Sequence, residues 1–508
     1  MKKILTVLTG CLCITMSLSF TYASSLIYGP TELIYYDKDK AYNGYTLWSA
    51  GRSGWLIDME GNLIHKWENP SNLDLYEDGH RVVGTGGRRA KVGGFRELDW
   101  DGNVYSEWTN INRPELICRG GRIRIFNRKL KAYTIFQLVQ ETIPYEDAIA
   151  HGADPDCNIS KNSPPSPDAI IEVDRQGNIV WEWHFWDHII QNYDPTKLSY
   201  GDPSEKKNWG KLDINVDTNT RNGLQRDWNH INSIDYNENL DLIAINSREH
   251  GEFYVIDHGN TFIPDNPEGS IKLAAGPKGD FIYRWGNPAN YGLGDPPKFN
   301  NNGHEQLFGP HNIQWIKPGL PGAGHFLIFE NGCYRPSFVA HSSVFEINPY
   351  KGPIEKGVYL FQHEAGYTYT GRSYGNLSNQ VVWKYSTVEA NEFNKGMYSA
   401  HISGAKRLPN GNTLMCAGEE GHFVEVTGDG EVVWEYVNPV TSNNYGVVKI
   451  LKPGMYNDVF RAHRYAPDYS GFAGLDLIPK GKITDLFKPM EPSAKGKKAK
   501  GKKGKGKK

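Results

Sequence analysis

Long apolar runs are scarce in this chain, and so are cysteine and helical periodicity. Past about Phe20 no stretch is apolar enough to span a membrane, so no transmembrane helix is expected in the body of the protein. No segment sustains a 3.6-residue apolar repeat, which argues against a helical bundle. There are six cysteines in 508 residues, and two, Cys11 and Cys13, fall in the N-terminal apolar stretch. The other four, Cys118, Cys157, Cys333 and Cys416, match no zinc spacing. In an oxidising compartment they permit up to two disulfides, in three pairings the sequence does not choose among. A formal charge of −2 gives no reason to expect a specific nucleic-acid partner.

What is abundant favours strands and turns. The chain holds 55 Gly, 29 Pro and 29 Tyr, and its 39% hydrophobic and 12% aromatic content is ample for a core. All-β is the expected class.

The ends differ from the middle. Met1-Lys2-Lys3, an apolar run to about Phe20 and then Thr21-Tyr22-Ala23 form a secretory signal pattern, with cleavage expected near Ala23/Ser24 and residues 1–23 removed. Leu8-Thr9-Gly10-Cys11 also has the look of a lipobox, but the apolar run continues past Cys11. The mature protein is therefore expected in the periplasm or secreted. At the other end, residues 494–508 contain nine lysines and no acid. Taking these and Lys2 and Lys3 away from the formal charge of −2 leaves −13. Residues 481–508 are expected to form a disordered basic tail able to touch an anionic surface, attached to an acidic body at 24–480.

That body repeats. An apolar strand, a turn close to Asp-x-x-Gly and a strand ending in Trp recur six times, at Trp67, Trp108, Trp183, Trp285, Trp383 and Trp434. Trp55–Trp67 is one clear copy, and Val424–Trp434 is the last. The glycine supplies a positive φ, Asp or Thr caps the turn, and the tryptophan packs one sheet against the next. Each copy joins an upstream strand pair, such as Arg407–Leu414 around Pro409-Asn410-Gly411. Four strands per unit and six units make a six-bladed β-propeller. Long insertions are expected at roughly 118–168, 187–226, 257–280 and 349–380, where they would cap a binding site.

A second repeat carries the chemistry. Asp227-Trp228-Asn229-His230-Ile231-Asn232, Phe308-Gly309-Pro310-His311-Asn312-Ile313 and Tyr398-Ser399-Ala400-His401-Ile402-Ser403 each precede an apolar strand pair. A histidine in register through three repeats would point three imidazoles at the channel axis.

These segments, with Leu242–Arg248, Tyr283–Pro288 and Phe460-Arg461-Ala462-His463-Arg464-Tyr465, resemble the bacterial arylsulfotransferase family from about residue 44 to 477. The resemblance implies a six-bladed periplasmic propeller. Its activity would move a sulfuryl group from an aryl sulfate to a phenol through a sulfated histidine, with no cofactor. It places His230, His311 and Arg248 among the catalytic groups. Two family positions differ. Tyr398-Ser399 is preceded by Lys395-Gly396-Met397 where the family's nucleophilic histidine stands, and the family's fifth-blade catalytic arginine has no arginine counterpart at His341-Ser342-Ser343. His401 is expected to take over as nucleophile, with His463 and Arg464 also catalytic. Arg335, Arg372, Asn229 and Asn312 are the expected substrate-binding groups.

Three other readings stand beside this one. His230, His311, His401 and His463 on one axis would suit copper or zinc, with Asp227 or Glu249 in the outer shell. A quinone-cofactor dehydrogenase fits less well, because such propellers generally have eight blades. A non-catalytic propeller would use Trp183, Trp186 and Tyr193 as surface stacking platforms. His184 and His188, four apart beside them, read as surface residues rather than a metal pair.

Overall fold

The computed structural model describes residues 28–68, 74–86, 92–216, 224–336, 341–351, 358–371, 375–386, 397–443 and 446–489. The expectations for residues 1–23, Arg372, Lys395-Gly396 and the lysine tail at 494–508 lie outside the described residues.

Six antiparallel sheets form the blades of a propeller. Blade 1 contains Tyr45–Ala50, Ser53–Ile57 and Leu63–Glu68, and its innermost strand is Ala462–Tyr465 from the far end of the chain. Blade 2 runs from Asp74–Leu75 to Val104–Thr109, and blade 3 from Ile117–Asn127 to Ile179–His184. Blade 4 starts at Ile231–Asn237 and ends at Tyr283–Trp285. Blade 5 starts at His311–Trp315 and ends at Val381–Ser386. Blade 6 has Ser403–Arg407, Thr413–Ala417, His422–Val426 and Val432–Val437, and Glu32–Tyr36 adds a fifth strand on its outside. The ring is closed twice: the late strand completes blade 1 and the early strand widens blade 6. Closure of this kind covers edges that would otherwise template aggregation.

The Asp-x-x-Gly repeats are the hairpins between the third and fourth strands. Gly61, Gly102, Gly177 and Gly430 have φ of 81°, 97°, 87° and 86°. Asp99 Oδ1 accepts from the backbone N–H of Gly102 and of Asn103, both at 2.8 Å, and Asp174 Oδ1 accepts from Asn178 N at 2.8 Å. All six repeat tryptophans fall on the outermost repeat strand, where several latch one blade to the next. Trp67 Nε1 donates to Trp100 O of blade 2 (3.0 Å), Trp383 to Gly428 O of blade 6 (2.8 Å) and Trp434 to Met59 O of blade 1 (2.9 Å). Their rings fill the seams between sheets, as in the cluster of Trp48, Trp55, Phe423, Trp434 and Tyr436.

Three expectations need correction. Residues 118–140 are not insertion: they hold the first two strands of blade 3, Ile117–Asn127 and Ala132–Gln140. A bulge between Cys118 and Arg122, at Arg119-Gly120-Gly121, breaks the alternation that would have marked a strand. The body does not stop at 480. Ile483 is fully buried and the Phe487 ring meets Trp55 edge-on at 5.4 Å, so the packed chain continues to residue 489. Nor are His184 and His188 surface residues. His184 lies between Glu141 and Glu182, and His188 is buried, stacked on Trp183 and bonded to Asp280 Oδ1 at 2.8 Å. No helix among the described residues is long and apolar enough to cross a membrane.

Candidate active site

Blades 4, 5 and 6 bring the three histidines to the starts of their inner strands. His311 opens one, His230 immediately precedes Ile231–Asn237, and His401 stands two residues before Ser403–Arg407. Each start contains a residue in the left-handed region: His230 (φ 49°), Asn312 (φ 58°) and Ile402 (φ 49°). In blade 4 that residue is the histidine itself, whereas in blades 5 and 6 it is the residue after the histidine. The textual match of the three segments is therefore one residue out of register in space, and the side chains differ in burial. His311 is 2% exposed, while the His230 and His401 side chains are 24% and 53% exposed.

His230 is held by a carboxylate. Its Nδ1 lies 2.7 Å from Asp227 Oδ2. An ionised carboxylate can only accept, so in the neutral ring Nδ1 carries the proton and Nε2 the lone pair. Asp227 Oδ1 accepts in turn from Arg119 Nη2 (2.8 Å) and Gln140 Nε2 (3.3 Å). Burial works to raise the Asp227 pKa. The hydrogen bond and charge of His230, with Arg119 and Gln140, outweigh it and hold the carboxyl well below the usual range. Behind the pair, Asp168 Oδ2 accepts from Ile231 N at 2.8 Å, and burial pushes its carboxyl up to about 6 against the pull of Arg119. The dyad is thus set on a bonded base, with the His230 side chain 24% exposed.

Arg248 follows the second strand of blade 4, and its backbone N–H donates to His230 O at 3.3 Å. Its guanidinium bonds Glu249, reaches Tyr334 Oη at 3.4 Å and stands 5.5 Å over the Tyr334 ring. His311 is saturated. Its Nδ1 is 2.8 Å from Asn331 Oδ1, and its Nε2 accepts from Ile402 N at 3.3 Å. Burial above all, helped by the nearby charges of His230 and Arg248, holds its pKa well below 6.5, so the ring stays neutral. His311 ties blade 5 to blade 6 and offers no nitrogen for attack.

The structure does not bring the other expected residues to this point. His401 faces solvent, its Nδ1 3.4 Å from Glu419 Oε2. Arg335 is buried against Glu330, with Nη1 2.7 Å from His341 Nε2. Arg464 is corrected most plainly, because strand alternation turns it away from the channel that His463 lines. It is buried between blades 1 and 6, bonding Thr46 Oγ1 (2.8 Å), Tyr42 O (2.7 Å) and Glu425 Oε2 (3.1 Å). Asn229 is fully buried with Oδ1 on Asp168 N, and Asn312 Oδ1 accepts from Ala405 N, so both brace backbone. His463 lies in the channel, with Nε2 3.2 Å from Asp74 Oδ1.

The metal reading fails on donor geometry. Among the described residues the only triad with converging ligand atoms is Asp78, His80 and Glu97, far in sequence from the channel histidines. There the Arg124 guanidinium already bonds both carboxylates, at 2.7 Å each. The stacking-platform reading loses Trp183, which is fully buried. The four cysteines are all free thiols. Sequence reasoning missed Arg119 and Gln140 as supports of the dyad. The Asp227-x-x-His230 spacing was the available signal, and Arg119 was hidden in the glycine bulge.

The site is thus a carboxylate-held imidazole before an inner strand of a six-bladed propeller, with Arg248 bonded to its backbone. The model of the arylsulfotransferase (ASST) family matches residues 47–442, and the chain belongs to that family. The family implies aryl sulfate and phenol as substrates. No curated protein matches the sequence. Among solved structures, a protein of unknown function from Bacteroides caccae is similar at 10% identity and a TM-score of 0.38, covering 83% of this chain and 100% of that one. A Lactobacillus plantarum protein is similar at 8% identity and a TM-score of 0.36, covering 83% and 99%.

Proposed function

We propose that this protein transfers a sulfuryl group from an aryl sulfate to a phenol, with His230 Nε2 as the intermediate carrier. The observation that carries this reading is the 2.7 Å bond from His230 Nδ1 to Asp227, which leaves Nε2 as a lone-pair nucleophile with no competing partner among the described residues. In the first step the Nε2 lone pair forms an N–S bond as the aryl S–O bond breaks, and the phenolate leaves with the bonding electrons. Positive charge arising on the ring is balanced by Asp227 across Nδ1–H. In the second step the acceptor's phenolic oxygen attacks sulfur, the N–S bond breaks and the acceptor's proton passes to solvent. Sulfuryl transfer needs positioning and charge stabilisation, for which Arg248, whose backbone N–H bonds His230 O, supplies a guanidinium, Arg119 being committed to Asp227. The N-terminal signal pattern supports action outside the cytoplasm, in the periplasm or beyond the cell, and the lysine-rich end supports contact with an anionic surface there.

The test is release of nitrophenolate from 4-nitrophenyl sulfate with phenol as acceptor. His230→Ala should fall to background, while His401→Ala should retain turnover within a few-fold of wild type. Loss of activity in His401→Ala with His230→Ala intact would move the carrier to blade 6. No release by the wild-type protein would end the sulfuryl-transfer reading.

A further inference from the structure

Blades 1 and 3 and the link into the closing strand wall a cavity of about 310 Å³ in the channel. Three arginines are among its lining residues, of which Arg122 donates from Nε to Gln137 Oε1 at 3.3 Å. Arg122 follows the glycine bulge of blade 3, Arg461 precedes the closing strand, and Arg52 stands at the hairpin between Tyr45–Ala50 and Ser53–Ile57. Two carboxylates line it as well, and both are engaged: Asp74 by His463 Nε2 at 3.2 Å and Asp458 by the Ser442 hydroxyl. Arg461 Nη2 donates to Asn232 O at 2.8 Å, but its buried Nε has no hydrogen-bond partner among the described residues. Lys406 and Lys317 also bear on His463, while Asp235 offsets Lys406 and Arg461. Three arginines against two carboxylates leave the lining one positive charge in excess, a condition that an entering anion relieves.

The cavity meets blade 4 at Arg461, which bonds Asn232 two residues after His230, and meets blade 5 through an aromatic wall. The Phe460 ring lies 5.0 Å from the Arg461 guanidinium and meets His311 edge-on at 6.4 Å. An aromatic ring packed on Phe460 would direct one end toward the histidines and the other into the arginines. Guanidinium forks match carboxylate geometry better than that of a neutral group.

We propose that the Arg52–Arg122–Arg461 cavity binds an anionic substituent of the acceptor, so that the preferred acceptor is a phenol bearing its own carboxylate. This deepens the sulfuryl-transfer reading and rests on it for the identity of the phenol as acceptor. The binding claim is measured without turnover.

The probes are 4-hydroxyphenylacetate and its neutral isostere 4-hydroxyphenylacetamide, titrated calorimetrically into the full chain. The acid should bind about tenfold or more tightly than the amide. Arg461→Gln and Arg122→Gln should erase that preference. Arg52→Gln, at an exposed position where folding is not at stake, should reduce it, and His230→Ala should leave it. Equal affinity for acid and amide would overturn the proposal, as would a preference that survives all three arginine changes. So would arginine-dependent binding of 4-nitrophenyl sulfate with none of the acid, since the donor's sulfate would then own the cavity. Arginine-dependent binding of the acid without any nitrophenolate release supports the cavity assignment while sinking the transfer reading.

Discussion

Asp227 and His230, three residues apart with His230 at φ 49°, form a single hydrogen-bonded pair, Nδ1 to Oδ2 at 2.7 Å. The carboxylate fixes which ring nitrogen carries the proton and so which can attack. Asp227→Asn keeps the shape but can present an amide N–H to Nδ1, which favours the wrong tautomer. Turnover of 4-nitrophenyl sulfate should fall by roughly 10²–10⁴-fold, chiefly in kcat. A change confined to KM would show that Asp227 only shapes the binding site.

The backbone at Ile402 is strained. A β-branched residue at φ 49° pays a steric penalty of about 1–2 kcal/mol that asparagine largely avoids. Ile402→Asn should stabilise the protein by about 1 kcal/mol in denaturant unfolding. A loss of stability would mean that the isoleucine side chain contributes more by packing than its backbone costs.

Closure of the ring depends in part on Trp434. Its indole reaches Met59 O at 2.9 Å across the seam between the last blade and the first, and the side chain is fully buried. Trp434→Phe leaves that carbonyl unpaired and should cost about 1–3 kcal/mol of unfolding free energy. An unchanged denaturant midpoint would remove the latch from the account of closure.

His258 makes stability depend on alkaline pH. Burial alone would lower its proton affinity, but Glu172 Oε2 at 3.0 Å from Nε2 and Asp241 Oδ1 at 2.6 Å from Nδ1 raise it, to about 9. Unfolded, the group returns to about 6.5. Between these values the folded state holds a proton that the unfolded state releases. The contribution is therefore complete below about pH 6.5 and is lost as pH rises through about 9. Thermal midpoints should decline from pH 6 to 10. His258→Gln should lower the midpoint at pH 6 and make the decline shallower. An equal slope in both proteins would assign the alkaline loss to other groups.

Much of the fold was legible because its signals are local. Asp99 and Gly102 form a turn whichever blade they occupy, and the tryptophan that follows is apolar enough to find a seam. The extent of blade 3 was hidden because Gly120 and Gly121 interrupt alternation without ending the strand. The site was legible as a place but not as an arrangement. His230, His311 and His401 look equivalent as text, yet a one-residue shift of the left-handed position separates His230 from the other two. Arg464 looks as available as His463, but adjacent residues of a strand face opposite ways.

By itself the sequence determined a closed ring of six sheets with histidines at the starts of three inner strands, because hairpin turns, alternation and aromatic seams are set by near neighbours. Only the tertiary structure decided which imidazole is free to react. Asn331 and the Ile402 amide occupy His311 from other strands, solvent takes His401, and Arg119 and Gln140 of blade 3 reach across to brace Asp227 beneath His230. Those partners lie tens of residues away, and burial and hydrogen bonding between blades exist only once the ring has closed.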